Sequence, residues 1–248
     1  MSDPSGCRIR LRRDDGGLDD VPLDWVRGKD LRSARPVRVV RSFRGQRHYS
    51  GWYWSATTGH HVVYESRLEL ARLLIADQDV QVRGIVGQPF LMQGHDGQRL
   101  RQHVPDFMLF MADGSIRVVD VKPLDRLEDP KVTAQFAWTR GVCRSVGWGF
   151  EVWSGAAATL LANLRWLAGY RRPELVDRRV CVEVMAHVEG PVSIEQLQAG
   201  VAAHGAPDRS RSAILHLLWR GDLTADLSAC LSSHTVVARA ERVVQPAV

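Results

Sequence analysis

The spacing of hydrophobic and polar residues predicts an ordered series of strands and helices along the first two thirds of this chain. Residues 36–64 alternate as strands do, and residues 66–77 place their hydrophobic side chains on one helical face. Three more strands are predicted over VQVRGIVGQPFLM, LRQHVPDFMLFM and IRVVDVKP, followed by a helix over residues 129–147 and the strand GFEVWS. The order helix, three-stranded meander, helix, strand predicts an α/β core whose mixed central sheet is flanked by helices.

The pattern changes after Arg-Arg-Pro at 171–173. Three helices are predicted over 173–190, 193–205 and 208–221, and Ser193 and Gln196 have the spacing of a capping box at the start of the second. Two short strands, LTADLS and TVVARA, follow them, which completes the element order of a winged helix. We therefore expect an irregular N-terminal arm over 1–35, the α/β domain over 36–172, and a small winged-helix-like α+β domain with a C-terminal tail over 173–248.

Composition places the 248 residues among globular proteins, because 45% are hydrophobic and 25% are charged. No apolar run has the length of a membrane span, and the N-terminal residues lack the apolar core of a signal peptide. The four cysteines are scattered without metal-ligand spacing, which favours free thiols in a reducing compartment. These features predict a cytoplasmic protein without a membrane partner.

The net charge of +5 is carried by the first fifty residues, which hold 12 Lys or Arg and 7 Asp or Glu, whereas the remaining residues hold 21 of each sign. Arginine recurs there at every third position from Arg32 to Arg47. Such a stripe suits a DNA phosphate backbone, because each contact releases counterions. We name as DNA-binding candidates Arg35, Arg38, Arg41 and Arg44. The alternative is an arginine-rich surface without a specific partner.

Two predicted strands bring acidic and amine groups to one edge of the sheet. Asp106 follows a proline at the start of one strand, and Asp120 and Lys122 lie two apart, hence on one face, in the next. Carboxylates there can hold Mg²⁺, for which Mn²⁺ can substitute, with the backbone carbonyl of Val121 completing the shell. Lys122 is one of three lysines against thirty arginines. An amine can position or deprotonate a water, whereas a guanidinium stays charged.

The arrangement PD-x(13)-DVK is the PD-(D/E)xK nuclease motif. The motif alone is loose, and a surface hairpin with an Asp–Lys pair is the alternative. The preceding helix offers two acids, Glu65 and Glu69, and their positions alone do not choose between them. On the following helix, Lys131 and Gln135 can face the scissile phosphate or form a solvated face. We interpret the histidines as surface or DNA-facing residues: His60, His61, His95 and His103.

Several stretches of residues 45–170 resemble the TnsA-like endonuclease subunits of heteromeric bacterial transposases. They are RHYSGWYWSATTGHHVVYESRLELARLL, VQVRGIVGQPFLM, VPDFMLF, VVDVKP and GFEVWS. The resemblance implies a restriction-endonuclease-like core, and it places the family's catalytic positions on Glu69, Asp106, Asp120 and Lys122. The best-known member has Gln where this chain has Asp120.

The resemblance also implies an activity and partners. A TnsA-like subunit is a Mg²⁺-dependent enzyme that hydrolyses the 5′ strands at transposon ends in double-stranded DNA. It works beside a strand-transferase subunit and an ATPase regulator subunit. Two alternatives stay open: a stand-alone restriction or defence nuclease of the same fold, and a DNA-binding module with a vestigial site.

Overall fold

The computed structural model describes residues 6–38, 49–202 and 207–241, and the chain divides into two compact units. The first unit comprises Met1–Asp77 and Gln81–Gly155, and the second comprises Gln78–Val80 and Ala156–Val248. Together they form a mixed α/β protein with several sheets and, among the described residues, seven α-helices. The boundary after Gly155 differs from the predicted one after residue 172, because the helix that follows Gly155 packs within the second unit.

The first unit contains ten strands and three helices within its described residues. In chain order they are β1 (Arg8–Arg12), β2 (Leu18–Pro22), α1 (Gly28–Arg32), β3 (Gly51–Trp54), β4 (His61–Tyr64), α2 (Arg67–Gln78), β5 (Val82–Gly87), β6 (Leu91–His95), β7 (Leu100–His103), β8 (Phe107–Met111), β9 (Ile116–Val121), α3 (Pro130–Ser145) and β10 (Gly149–Trp153).

The central sheet has the strand order β10-β9-β8-β5. Strands β5, β8 and β9 pair antiparallel, and β10 lies parallel to β9. The helix predicted before these strands and the helix and strand predicted after them are therefore confirmed, but β6 and β7 intervene between β5 and β8 and pair in another sheet, so the predicted three-stranded meander is only partly correct. Residues Met108 and Val118 pair across β8 and β9 and are fully buried, so one face of this sheet lies in the hydrophobic core.

A second sheet has the order β2-β1-β6-β7 and includes the N-terminal residues. Ile9 and Leu11 of β1 are buried in the same core as Met108, whereas Arg8 and Arg10 point outward to Asp20 on β2. The expectation of an irregular arm is therefore wrong for these residues. The alternation in RIRLR is that of a half-buried strand, and its partner β6 lies about eighty residues away in sequence.

Two stretches predicted as single strands are each divided between the two sheets. LRQHVPDFMLFM contains β7 and β8, and the break falls at Pro105, which has no N–H to donate to a ladder. VQVRGIVGQPFLM contains β5 and β6, and the break falls at Gln88, which has a left-handed φ of 48°. The predicted strand VRVVRSF lies, apart from Val37 and Arg38, outside the described residues.

The second unit contains four helices and three short strands in its described part. They are α4 (Ala158–Leu167), α5 (Arg178–Ala186), β11 (Val192–Ser193), α6 (Ile194–Ala202), α7 (Pro207–Arg220), β12 (Leu223–Ala225) and β13 (Val236–Arg239). The strands form one sheet in the order β11-β13-β12. The predicted capping box is confirmed, because Gln196 N–H donates to Ser193 Oγ at 3.2 Å and Ser193 N–H donates to Gln196 Oε1 at 3.3 Å.

Helix α7 is the central helix of this unit. Its residues 213–219 are all buried, and it packs against α4, α5, α6 and β12. A helix buried on every side has no open face for the groove of a duplex. Its exposed basic side chains lie at its two ends, Arg209 and Arg211 in the first turns and Arg220 at the last residue. Within the described residues, no helix is both long and apolar enough to cross a membrane.

Candidate active site

Asp106 and Asp120 come together at one end of the central sheet. Phe107 of β8 pairs with Val119 of β9, and continuing that antiparallel register by one residue sets Asp106 opposite Asp120. Asp106 Oδ2 accepts a 2.6 Å hydrogen bond from the backbone N–H of Val121. The strand that carries the second acid therefore fixes the carboxylate of the first.

Burial and neighbouring acids raise the pKa of Asp106 well above its ordinary value. Loss of solvent is the largest cause, and the negative charges of Glu69 and Asp120 act in the same direction. The hydrogen bond from Val121 and the positive charge of Lys122 oppose them. The charges of Glu69, Asp120 and Lys122 therefore all act on the carboxyl of Asp106.

Glu69 approaches this site from helix α2, where it also caps the helix. Its Oε2 accepts from the backbone N–H of Glu65 at 2.7 Å and its Oε1 accepts from Ser66 Oγ at 2.9 Å. Burial raises the pKa of Glu69, and the charge of Glu65 adds to this. Glu65 precedes the first residue of α2 and pairs with Arg38 at 3.5 Å, so the prediction that both acids lie on the helix is wrong for Glu65.

Lys122 and Val121 contribute from the end of β9. The backbone N–H of Lys122 donates to Trp153 O on β10 at 2.9 Å, and its side chain is partly buried. The N–H and C=O of one residue in an extended strand point to the same side, so the carbonyl of Val121 faces the side on which Asp106 lies. The lysine is two residues beyond Asp120 and shares its face of the sheet.

The sequence interpretation missed one residue of this site, His103. Its Nε2 lies 2.7 Å from Oδ2 and 2.9 Å from Oδ1 of Asp120, although we expected a surface or DNA-facing residue. His103 is the last residue of β7, which belongs to the other sheet. Its separation of three residues from Asp106 was the available signal, but a pairing with Asp120 depends on how the two sheets stack.

The DNA-binding candidates lie in several different settings. Arg35 pairs with Asp14 at 2.8 Å on the surface, and Arg38 lies close enough to Glu69 to lower the pKa of that carboxyl. Lys131 is exposed in the first turn of α3. Gln135 is half-buried and its Oε1 accepts from Arg101 at 3.5 Å, so part of its amide is engaged inside the protein. Arg41 and Arg44 lie outside the described residues.

The donor groups at this sheet edge fit a hard divalent cation. Carboxylate and carbonyl oxygens are the ligands that Mg²⁺ takes, and the mutual repulsion at Asp106 is what a cation would relieve. Among the described residues, no three Asp, Glu, His or Cys side chains are already placed so that they could hold one metal ion together. The Asp120 carboxylate is held by His103 and the Glu69 carboxylate by its own helix terminus.

Neither a comparison with models of known protein families nor one with curated proteins finds a match to this chain. Its function is therefore inferred from the residues and motifs described above.

Proposed function

We propose that this chain is a Mg²⁺-dependent DNA endonuclease, the TnsA-like subunit of a heteromeric transposase that hydrolyses the 5′ strands at transposon ends. The observation that carries the proposal is that Asp106, which immediately precedes β8, lies opposite Asp120 of β9 when the register of the two strands is continued by one residue, with Lys122 two residues beyond the second acid. The raised pKa of Asp106 supports it, because strongly perturbed carboxylates concentrate at functional sites.

Each side chain has a distinct role in this proposal. Asp106, Asp120 and the carbonyl of Val121 would hold the cation, with Glu69 as a further acid from α2. Bound Mg²⁺ supplies Lewis-acid polarisation of the scissile phosphate and lowers the pKa of a coordinated water. Lys122 orients the attacking water or balances the negative charge that develops on the phosphate. The hydrogen bond from Val121 N–H holds Asp106 in place throughout.

The arrangement of elements is compatible with a restriction-endonuclease-like core. An antiparallel β5-β8-β9 meander, a parallel β10 and the flanking helices α2 and α3 are the parts that such a core requires. In the second unit, the order α5, β11, α6, α7, β12, β13 is that of a winged helix. Because α7 is buried, contact with DNA or with the ATPase regulator would use its first turns or the β12–β13 hairpin.

The test is strand-resolved cleavage of a transposon end, identified from the DNA that flanks this gene and its neighbours. The chain is combined with the adjacent strand-transferase, inactivated at its own catalytic acids, and with the adjacent ATPase. We expect a Mg²⁺-dependent cut in the strand that ends 5′ at the transposon boundary, and no such cut with Asp120→Ala. Cutting that ignores the end would instead support the stand-alone nuclease. Loss of all metal-dependent cutting would contradict both.

A further inference from the structure

A histidine from one sheet contacts both carboxylate oxygens of a site acid on the other sheet. His103 Nε2 lies within 2.9 Å of both oxygens of Asp120, and the two side chains are 17% and 3% exposed. The tautomer that carries its hydrogen on Nε2 donates that hydrogen to the carboxylate, whose oxygens accept it. The plane of the Asp120 carboxylate is therefore set by the ring of His103.

Asp120 depends on this one donor within the described residues. Its neighbours Val118, Val119 and Val121 on β9 are buried and apolar, and no other described group donates to its carboxylate. A buried carboxylate without a donor is costly, and it rotates or draws away from its position. The position of Asp120 relative to Asp106 thus depends on a strand, β7, that belongs to the other sheet.

We propose that His103 is a positioning residue of the metal site, which holds the Asp120 carboxylate in the orientation in which it would bind the cation. This inference rests on the proposed function, because it assumes that Asp106 and Asp120 hold a divalent cation. Donors behind a ligating carboxylate orient it, and losing one typically weakens metal binding by about 10- to 100-fold. Neither the nuclease motif nor the stretches that resemble the transposase subunits assigns this role to residue 103.

A purely structural role for His103, as a tie between the two sheets, has a different signature. Removing a tie lowers the melting temperature and leaves the affinity of the folded protein for metal unchanged. Removing a positioning donor lowers that affinity even at temperatures where the variant is fully folded. A substitution that places another N–H donor near the position of Nε2 separates the two roles further. If His103 is a positioning donor, such a side chain restores metal binding although it has no imidazole ring.

The experiment is a titration of the full-length chain with Mn²⁺ in the absence of DNA, with free Mn²⁺ followed by electron paramagnetic resonance at one fixed pH. Wild type is compared with Asp106→Ala, His103→Leu and His103→Gln, whose amide can donate from a similar position. The matched control is His95→Leu, which changes an exposed histidine on the same β6–β7 hairpin. Circular dichroism and melting curves establish that each variant is folded at the temperature used.

We expect one Mn²⁺ site that Asp106→Ala removes, that His103→Leu weakens by about 10- to 100-fold, and that His103→Gln keeps within about threefold. His95→Leu should bind as wild type does. Equal affinity in wild type and folded His103→Leu would overturn the positioning role and leave the proposed function standing. A wild type without an Asp106-dependent site would overturn the proposed function and the positioning role together.

Discussion

The backbone N–H of Val121 donates to Oδ2 of Asp106 across 2.6 Å, so the two strands of the site are joined at the acid itself. Val121 lies between Asp120 and Lys122, and its neighbours in sequence point to the opposite face of the strand from its own side chain. A change in the register of β8 and β9 would therefore move Asp106 away from Asp120 and Lys122 together.

The first prediction concerns how the charged carboxylate of Asp106 lowers the free energy of unfolding. Because its pKa is raised in the folded protein, the folded state binds its proton more tightly than the unfolded chain does. Stability is therefore lost as pH rises from the ordinary carboxyl range through the raised pKa. Without metal at pH 7.5, Asp106→Asn should raise the free energy of unfolding by on the order of 1 kcal/mol.

Thermal unfolding of both proteins across a pH series checks this. The gain should disappear below about pH 3, where the carboxyl of wild type is protonated in the unfolded chain as well as in the folded protein. The control is Asp113→Asn in the β8–β9 turn, where hydrogen bonds from Ser115 lower the pKa of Asp113, so no gain is expected. An Asp106→Asn protein that is less stable than wild type at every pH would show that burial beside Glu69 and Asp120 does not make the charged carboxylate of Asp106 costly.

The second prediction separates the two neighbouring glutamates. Glu69→Gln should remove most of the cleavage activity, while its remaining amide oxygen can still accept from the N–H of Glu65. Glu65→Gln should cost little, because it loses only a surface pair with Arg38, of a type worth about 0–1 kcal/mol. Single-turnover cleavage rates measure both, and the opposite ranking would show that the wrong acid has been assigned.

The third prediction concerns the amine at residue 122. Lys122→Arg should be nearly as damaging as Lys122→Ala, because a guanidinium has a planar fork and does not release its proton. The chain uses thirty arginines and three lysines, so an arginine here would be the ordinary choice if charge alone were needed. Single-turnover cleavage rates measure this as well. A cleavage rate of Lys122→Arg within a few-fold of the wild-type rate would show that Lys122 acts only by electrostatic attraction.

The fourth prediction concerns the arginine stripe. Replacing Arg35, Arg38, Arg41 and Arg44 with alanine should weaken duplex binding evenly across sequences. The slope of log K against log salt should fall by about 0.9 for each phosphate that the protein no longer neutralises. The control is the double change to alanine of Arg8 and Arg10, two exposed arginines of β1 that lie outside the stripe, which should leave the salt slope unchanged. A salt slope equal to that of wild type would make the stripe an ordinary surface.

Local patterns predicted the elements that carry the candidate acids. The helix of Glu69, the strands of Asp106 and Asp120 and the helix after them follow from periodicity and turn residues within each segment. The Ser193–Gln196 cap was likewise predictable, because all its atoms lie within four residues. Such features depend on neighbours in sequence, so no knowledge of the tertiary fold was needed.

Most of the features that were missed depend on distant partners, whereas the start of α2 after Glu65 is a local feature that was also missed. Strand β1 needs β6 to pair with, and the contact of His103 with Asp120 needs the second sheet to lie over the first. The burial of α7 depends on distant partners for the same reason, because its residues 213–219 are enclosed by three other helices and by β12. The periodicity of a sequence shows which face of a helix or strand is apolar. It does not show which other elements pack against the remaining faces.

The most direct test of the central claim is single-turnover cleavage of an end-labelled duplex by wild type and Asp106→Asn, with Mg²⁺, Mn²⁺ or EDTA. Melting curves first establish that both proteins are folded. Binding measurements over a range of salt concentrations establish that both bind the duplex with the same affinity. The account predicts cutting by wild type with either metal, none in EDTA, and none by Asp106→Asn under any condition. Cutting by Asp106→Asn within tenfold of the wild-type rate would contradict it.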